Sequence, residues 1–436
     1  MGIKSISDHL AQLRKTVTGA FGERLWLMTE ASMATIATLM LSEWKGCAAL
    51  NLVDVPSSGK TTVLDFMSDI GEDIVYRTDD FTAASLVSQS AQVKNEKRLN
   101  KVDMLPRIRN KCVIIQELAP MFTAKPDDLA RDMGMLTRVL DGKGLRRDGG
   151  VHGGRGHVNK PGCTWDFAWL GATTPPSRKV WQVMGNLGSR FLFLELPTRS
   201  TVADDCKAVY SSYIDTDSFT RKEERCHAAV TDYFKALRRS LGGGRFYDSM
   251  DWDNSSDCKD TLETLAGLAT LIARGRTPIT QDKDTPAAGF KAMSSEKPLR
   301  VGQALLAILR ARSVLHDRRA VAADDLNMAV PIAFSSFPSN RRKLLELLID
   351  PDHPEIGEVG RVKSTEVEKA LKVSRPTALK MMQIMKAAGF GRLYEGAGPN
   401  AHEFVLGDDW QWLIEKNIAR YLPNYDSSED DPDVPF

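Results

Sequence analysis

The chain has 436 residues, enough for two or three domains, and its 42% hydrophobic and 26% charged residues are those of an ordinary soluble protein. Its longest near-apolar stretch, Ala31 to Leu41, is far too short to cross a bilayer, and the first residues lack the basic, apolar, small-residue order of a secretory leader, so a cytoplasmic protein is expected. The net charge of +1 conceals an acidic end, Asp426 to Phe436, with five carboxylates and no base; the remainder is basic on balance, which suits a nucleic-acid binder that recruits partners.

Residues 1 to about 45 read as helical, with apolar residues at helical spacing from Leu25 to Trp44. A first strand is expected at Ala48 to Val53 and a second at Asp73 to Arg77. The apolar run Lys111 to Glu117 ends in polar residues, as a central parallel strand does where its carboxyl end faces a ligand. Trp165 to Thr174 and Arg190 to Leu196 complete the set. Strands separated by helical segments define a three-layer α/β domain with a parallel sheet. Beyond about residue 201 the pattern turns helical, at Thr220 to Leu241, Thr261 to Ala273, Arg300 to His316 and Ala323 to Phe334, with the polar Thr277 to Lys297 segment as a loop. After Pro338 a small unit is expected, with helices at Arg341 to Leu348, Ser364 to Leu371 and Ser374 to Ala388. Short strands follow around Leu393-Tyr394 and Glu403 to Leu406, joined by a Gly-Ala-Gly-Pro-Asn turn. The implied units are 1–45 (helical), 46–200 (α/β core), 201–338 (helical), 339–422 (small unit) and 423–436 (acidic tail). Cys47, Cys112, Cys163, Cys206, Cys226 and Cys258 show no paired short spacing, which speaks for free thiols in a reducing compartment.

The most informative stretch joins the first strand to a helix through Asp54-Val55-Pro56-Ser57-Ser58-Gly59-Lys60-Thr61-Thr62. Backbone N–H groups of Pro56-to-Thr62 geometry, proline itself excepted, together with the positive end of the next helix, would wrap phosphates. Lys60 would neutralise the β and γ oxygens, and the Thr61 hydroxyl would ligate Mg²⁺. The usual phosphate loop begins with glycine where this chain has Asp54, so the loop entry must avoid the backbone geometry that only glycine tolerates.

The order of parts over residues 46 to 336 resembles the AAA+ ATPases, a P-loop NTPase fold with a parallel sheet and a helical lid, with ATP and Mg²⁺ as implied cofactors. The resemblance implies that Glu117 polarises the attacking water. Gln116 stands where the family keeps an aspartate that holds water on Mg²⁺; it can hydrogen-bond that water but adds no charge. Gly171-Ala172-Thr173-Thr174-Pro175-Pro176 looks like the sensor-1 segment, with Thr174 as the polar residue and Thr173 as the near alternative. Leu187-Gly188-Ser189-Arg190-Phe191 resembles the arginine-finger segment of the minichromosome-maintenance helicases, which implies that Arg190 acts on a neighbour's nucleotide in an oligomer. Arg300 resembles the sensor-2 arginine of the lid.

Between the Glu117 and Thr174 strands, the segment Leu145 to Lys160 is rich in glycine and positive charge. In helicases with a hairpin before sensor 1 this position grips the DNA backbone, which would make Arg155, His157 and Lys160 phosphate contacts, though a surface loop has the same composition. The small unit after residue 338 reads as a winged helix-turn-helix. Its second helix begins with Arg375 and Thr377, which could approach bases, and Lys380, which could take phosphate; such units also serve as protein contacts. The end Ser428 to Phe436 resembles the tip of bacterial single-stranded-DNA-binding proteins. Phe436 would enter an apolar pocket after Val434 and Pro435, and Asp431 and Asp433 would meet a basic rim on a replication or repair enzyme.

These features together describe an ATP-dependent DNA motor assembled as a hexameric ring, of the kind a phage or mobile element uses as a replicative or initiator helicase. The competing readings are an ATP-controlled DNA-binding regulator or transposition-type adaptor, and a scaffold that binds ATP without hydrolysis, the last suggested by Asp54 and Gln116.

Overall fold

Seven consecutive buried residues, Cys47–Val53, form β1, and a run without polar alternation is what a strand covered on both faces requires. In this computed structural model, which describes residues 5–79, 81–88, 100–149, 153–160, 163–188, 190–196, 206–207, 210, 218–281, 289–395 and 402–423, β1 is an interior strand of a five-stranded parallel sheet. Its companions are β2 (Val75–Thr78), β3 (Cys112–Ile115), β6 (Phe167–Thr173) and β7 (Phe191–Glu195), in the order β2-β3-β6-β1-β7. The two strands between β3 and β6, β4 (Gly144–Gly149) and β5 (Gly153–Val158), form a separate hairpin.

Register brings three strand ends to one level. β1 pairs with β6 from Cys47↔Phe167 to Val53↔Thr173, and β3 pairs with β6 up to Ile115↔Gly171. The chain leaving β1, β3 and β6 therefore rises at a common rim, the carboxyl end of the sheet, where open α/β proteins bind ligands. Alternate side chains of β1 serve opposite layers: Leu50 and Leu52 pack with Met33, Phe66 and Leu309, while Ala49 and Val53 pack with Leu105, Leu136 and Met184. The first layer comprises α1 (Ile6–Ala37), α2 (Lys60–Phe66) and the later helix α9 (Leu299–Leu315). The second comprises α3 (Met104–Ile108), the short α4 (Ala119–Phe122), α5 (Pro126–Leu140) and α6 (Arg178–Leu187).

The N-terminal helix α1 starts on a capping box, Ser5 with Asp8, and breaks at Gly22, whose φ of 77° and ψ of 171° lie outside the helical range. Its second half is buried nearly all round, so it belongs to the core. The expected helical region is present as α7 (Phe219–Ser240), α8 (Lys259–Gly275), α9, and α10 (Leu326–Ser335), the last entered through the 3₁₀ turn Ala323–Asp325. The polar segment expected as a loop instead contains a hairpin, β8 (Ile279–Gln281) with β9 (Phe290–Ala292). Packing against a later helix, α13 (Arg375–Ala388), holds it in place and overrides its weak local pattern.

After α11 (Ser339–Ile349) come β10 (Arg361–Lys363), α12 (Ser364–Leu371), α13, β11 (Gly391–Glu395), β12 (His402–Leu406) and α14 (Trp412–Glu415), with the three strands ordered β10-β12-β11. This unit is docked on the helices before it. The Trp412 ring covers Gly267 of α8 so closely that a Cβ there would come within 2.8 Å of it, and Lys416 pairs with Asp260. Among the described residues no helix is long and apolar enough to cross a membrane.

A buried ionic network ties α1 to α9. His316 Nε2 donates to Glu30 Oε1 (2.5 Å), Arg312 pairs with the same carboxylate (3.2 Å), and Arg312 Nη1 donates to Asp325 (2.7 Å). Burial alone would raise the Glu30 carboxyl, but the His316 bond and the Arg312 charge outweigh it and hold it below its usual range. A carboxyl depressed in the folded state contributes stability that is complete above about pH 4.5 and is lost as pH falls through the folded value. Denaturant midpoints should therefore drop steeply in acid. Glu30→Gln should flatten that acid limb while costing roughly 1–3 kcal/mol at neutral pH; parallel acid limbs would show that Glu30 does not carry the effect.

Candidate functional site

The loop from Asp54 to Gly59 leaves β1 at the common rim and enters α2 at Lys60. Ser57 (φ 62°) and Gly59 (φ 87°) both adopt left-handed backbone, which bends the chain into a concavity that gathers N–H groups and attracts anions. Glycine takes the φ at position 59 without a Cβ penalty, whereas Ser57 carries it as local strain. Lys60 lies buried beneath the loop, its ammonium donating to Asp54 O (2.9 Å), Val55 O (2.6 Å) and Ser58 Oγ (3.2 Å). Burial lowers its pKa, with the Glu117 charge working against burial and the Arg24 charge adding to it. Ser58 and Gly59 are buried, while Pro56, Ser57 and Thr61 are exposed and Thr62 half-buried. The donor set fits an anionic phosphate ligand, with the Thr61 hydroxyl at the first turn of α2 open to a hydrated cation.

Asp54 avoids positive φ, as its side chain requires, and the fold supplies its partner. Its carboxylate is ion-paired with Arg24 of α1 and its Oδ1 accepts the Val55 N–H (2.6 Å). The same guanidinium donates from Nε to Leu196 O (2.8 Å) and from Nη1 to Ser58 O (3.0 Å), so one arginine clamps both ends of the loop. Arg24→Ala would leave Asp54 buried without a cation. The expected loss is about 3 kcal/mol of stability and on the order of tenfold in nucleotide affinity, from thermal melts and equilibrium binding. Adding Asp54→Gly should recover most of the stability, and a double variant no better than the single one would mean that the pair is not the clamp.

Gln116 and Glu117 follow β3 at the same rim. Gln116 Nε2 donates to Asp65 Oδ1 of α2 (2.7 Å), and Glu117, exposed, accepts the Ala119 N–H at 2.8 Å. At the end of β6, Thr173 is buried with its hydroxyl donating to Thr174 O (3.0 Å), whereas Thr174 is half-exposed. Both threonines line a cleft of about 630 Å³ that reaches Thr123, Lys179 and Asn186, with Thr174 the more exposed of the two.

Arg190 and Arg300 lie elsewhere. Arg190 precedes β7, whose first residue, Phe191, pairs with Ala49 near the start of β1. It stands about six residues, or roughly 20 Å at strand rise, below the phosphate-loop rim. There Arg190 Nε donates to Asp141 Oδ1 (2.9 Å), and Arg300 Nη1 reaches the same oxygen (2.7 Å). Arg276, fully buried, bonds Ser336 O (2.6 Å) and Phe191 O and faces Glu296 (3.5 Å). Burial raises the Glu296 carboxyl despite the Arg276 and Arg190 charges. The two expected arginines thus meet each other on one carboxylate, but neither meets Lys60 of its own chain.

The glycine-rich basic segment is a hairpin, and its side chains are disposed differently from expectation. Arg147↔Arg155 and Leu145↔His157 share the inner face, where His157 Nε2 donates to buried Asp103 (2.8 Å) and Arg155 pairs with it at 3.9 Å. A buried carboxylate thus holds Arg155 and His157 inward, both of them half-buried. Lys160, past the hairpin, is exposed. On the outer face the exposed Arg146 guanidinium pairs with Asp148 (3.5 Å), while at Gly156, with φ of 153°, a Cβ would meet the backbone of Leu145 and Arg146, so glycine is needed there.

In the small C-terminal unit, Thr377 and Lys380 are exposed near the start of α13 and Arg375 is half-buried, while Ala378, Met381, Met382 and Met385 face its core. The 396–400 turn and the tail with Asp431, Asp433, Val434, Pro435 and Phe436 lie outside the described residues, as does Ser189. Sequence reasoning missed Arg24, Asp65 and Asp141. Only Asp65 left a signal, one helical turn after Thr61.

The sheet order and phosphate loop are compatible with a P-loop ATPase. No protein-family model and no curated protein sequence matches the chain. Among solved structures it is similar to a candidate ATPase from Cytophaga hutchinsonii, 12% identical, over 73% of this chain and 85% of that one, at a TM-score of 0.33. A likeness that remote adds nothing to what the strands and loop themselves display.

Proposed function

We propose that the chain is an AAA+ type ATPase that works as an oligomeric ring on DNA, a replicative or initiator helicase in character, with a winged-helix unit at residues 339–422. The observation that carries this reading is the separation of parts. Lys60, Glu117 and Thr174 gather at one rim, while Arg190 and Arg300 gather on Asp141 at the opposite end of the strands. A guanidinium placed there serves a γ-phosphate only across a seam between copies, where it stabilises transition-state charge. Bound Mg²⁺-ATP would supply the phosphoryl group and the cation that neutralises it. For its own part, Lys60 grips phosphate, Glu117 orients water, Thr61 faces the cation and Thr174 reports on the γ position.

DNA would be met by the hairpin side of the core, through Lys160 and Arg146, and by Thr377 and Lys380 at the start of α13, all exposed. ATP turnover measured with and without single-stranded DNA tests the proposal. At least tenfold stimulation that weakens as salt is raised is expected. Turnover indifferent to DNA would remove the motor and leave a nucleotide-controlled assembly.

A further inference from the structure

In P-loop enzymes that cleave ATP, the strand-end position held here by Gln116 needs an acceptor for water on Mg²⁺ and a negative charge nearby. Glutamine has the acceptor but no charge, and its amide can turn either way, offering oxygen or N–H₂. The fold resolves both points with one side chain. α2 crosses above β6, and its Asp65, four residues after Thr61, reaches the residue after β3 to accept from Gln116 Nε2 at 2.7 Å. An ionised carboxylate only accepts, so Asp65 selects the orientation in which nitrogen faces the helix and oxygen faces away from it. Asp65 is itself held by Arg77 Nη1 at 3.1 Å from β2.

We infer that Asp65 is a positioning residue for the Mg²⁺ of the proposed nucleotide site: through its bond to Gln116 it orients the amide oxygen and supplies the charge that Gln116 itself lacks. The inference rests on the nucleotide reading above. Side chains on a helix lean toward its N-terminus, so the Asp65 carboxylate lies over the turn that carries Thr61, the other expected cation ligand. A simple pin between α2 and β3 would need only the hydrogen bond, whereas this role needs the charge and the amide orientation.

The test is binding of a fluorescent, non-hydrolysable ATP analogue to the full chain as Mg²⁺ is titrated, with folding followed by thermal melts. Asp65→Asn should raise the Mg²⁺ concentration for half-maximal tightening by about tenfold, the usual scale for an outer-shell partner, without changing Mg²⁺-free binding. Gln116→Glu alone puts two carboxylates in contact and should also impair Mg²⁺-dependent tightening. The isosteric exchange Asp65→Asn/Gln116→Glu keeps the bond with its charge moved to the strand and should return to within about threefold of wild type. Should Asp65→Asn fold poorly, the exchange and the Gln116→Glu single variant carry the comparison. An unchanged Mg²⁺ dependence in Asp65→Asn, or an exchange variant no better than either parent, overturns the inference while nucleotide binding stands. Wild-type protein that binds no nucleotide overturns the reading beneath it as well.

Discussion

Arg190→Ala is expected to lower ATP turnover by on the order of 10³-fold while leaving nucleotide affinity within about threefold, because a guanidinium delivered across a seam acts on the transition state more than on the bound ground state. The structure makes the variant interpretable. Asp141 retains Arg300 at 2.7 Å when Arg190 is lost, so no buried carboxylate is stranded and folding should survive. Arg190→Lys keeps the charge but loses the planar fork that bonds Asp141 at 2.9 and 3.4 Å, and should fall between alanine and wild type. Equal losses in turnover and affinity would contradict a role for Arg190 across the seam.

Lys60→Ala should abolish turnover and weaken nucleotide binding by roughly 10–100-fold, the worth of one or two charge-assisted hydrogen bonds to phosphate. Here the lysine also holds the loop's shape before any ligand arrives, through the carbonyls of Asp54 and Val55 and the Ser58 hydroxyl. Its removal therefore acts twice, on the charge that meets phosphate and on the carbonyls that lose their donor. The direct reading is the rise in melting temperature caused by ATP and Mg²⁺, which wild type should show and Lys60→Ala should lose. A variant that keeps the full rise would mean that the loop is not where nucleotide binds.

Much of this arrangement is legible in the sequence. The buried strands announce themselves as unbroken apolar runs, and β1, β3, β6 and β7 lie within one or two residues of where those runs stand. The phosphate loop is equally local, since strand, turn and helix start are contiguous. What escaped depends on contacts between distant segments. Arg24 meets Ser58 and Leu196 across 34 and 172 residues, and nothing in the helix that carries it distinguishes it from any surface arginine. For the hairpin's basic residues, composition gives charge without facing. The alternation of Arg155 and His157 with Gly154 and Gly156 already marks one side-chain-bearing face, and the buried Asp103 decides that this face turns inward. β8 and β9 are polar enough to pass for loop until α13 is laid against them.

The central claim is that each nucleotide is held by Lys60 of one copy and served by Arg190 of the next. Mixing Lys60→Ala with Arg190→Ala protein, each inactive alone, tests it most directly. Random co-assembly at equal amounts should restore about a quarter of wild-type turnover per site, since half of the copies offer an intact loop and half of their neighbours an intact arginine. A mixture as inactive as its two components, beside wild-type protein whose specific turnover does not change on dilution, would contradict the account.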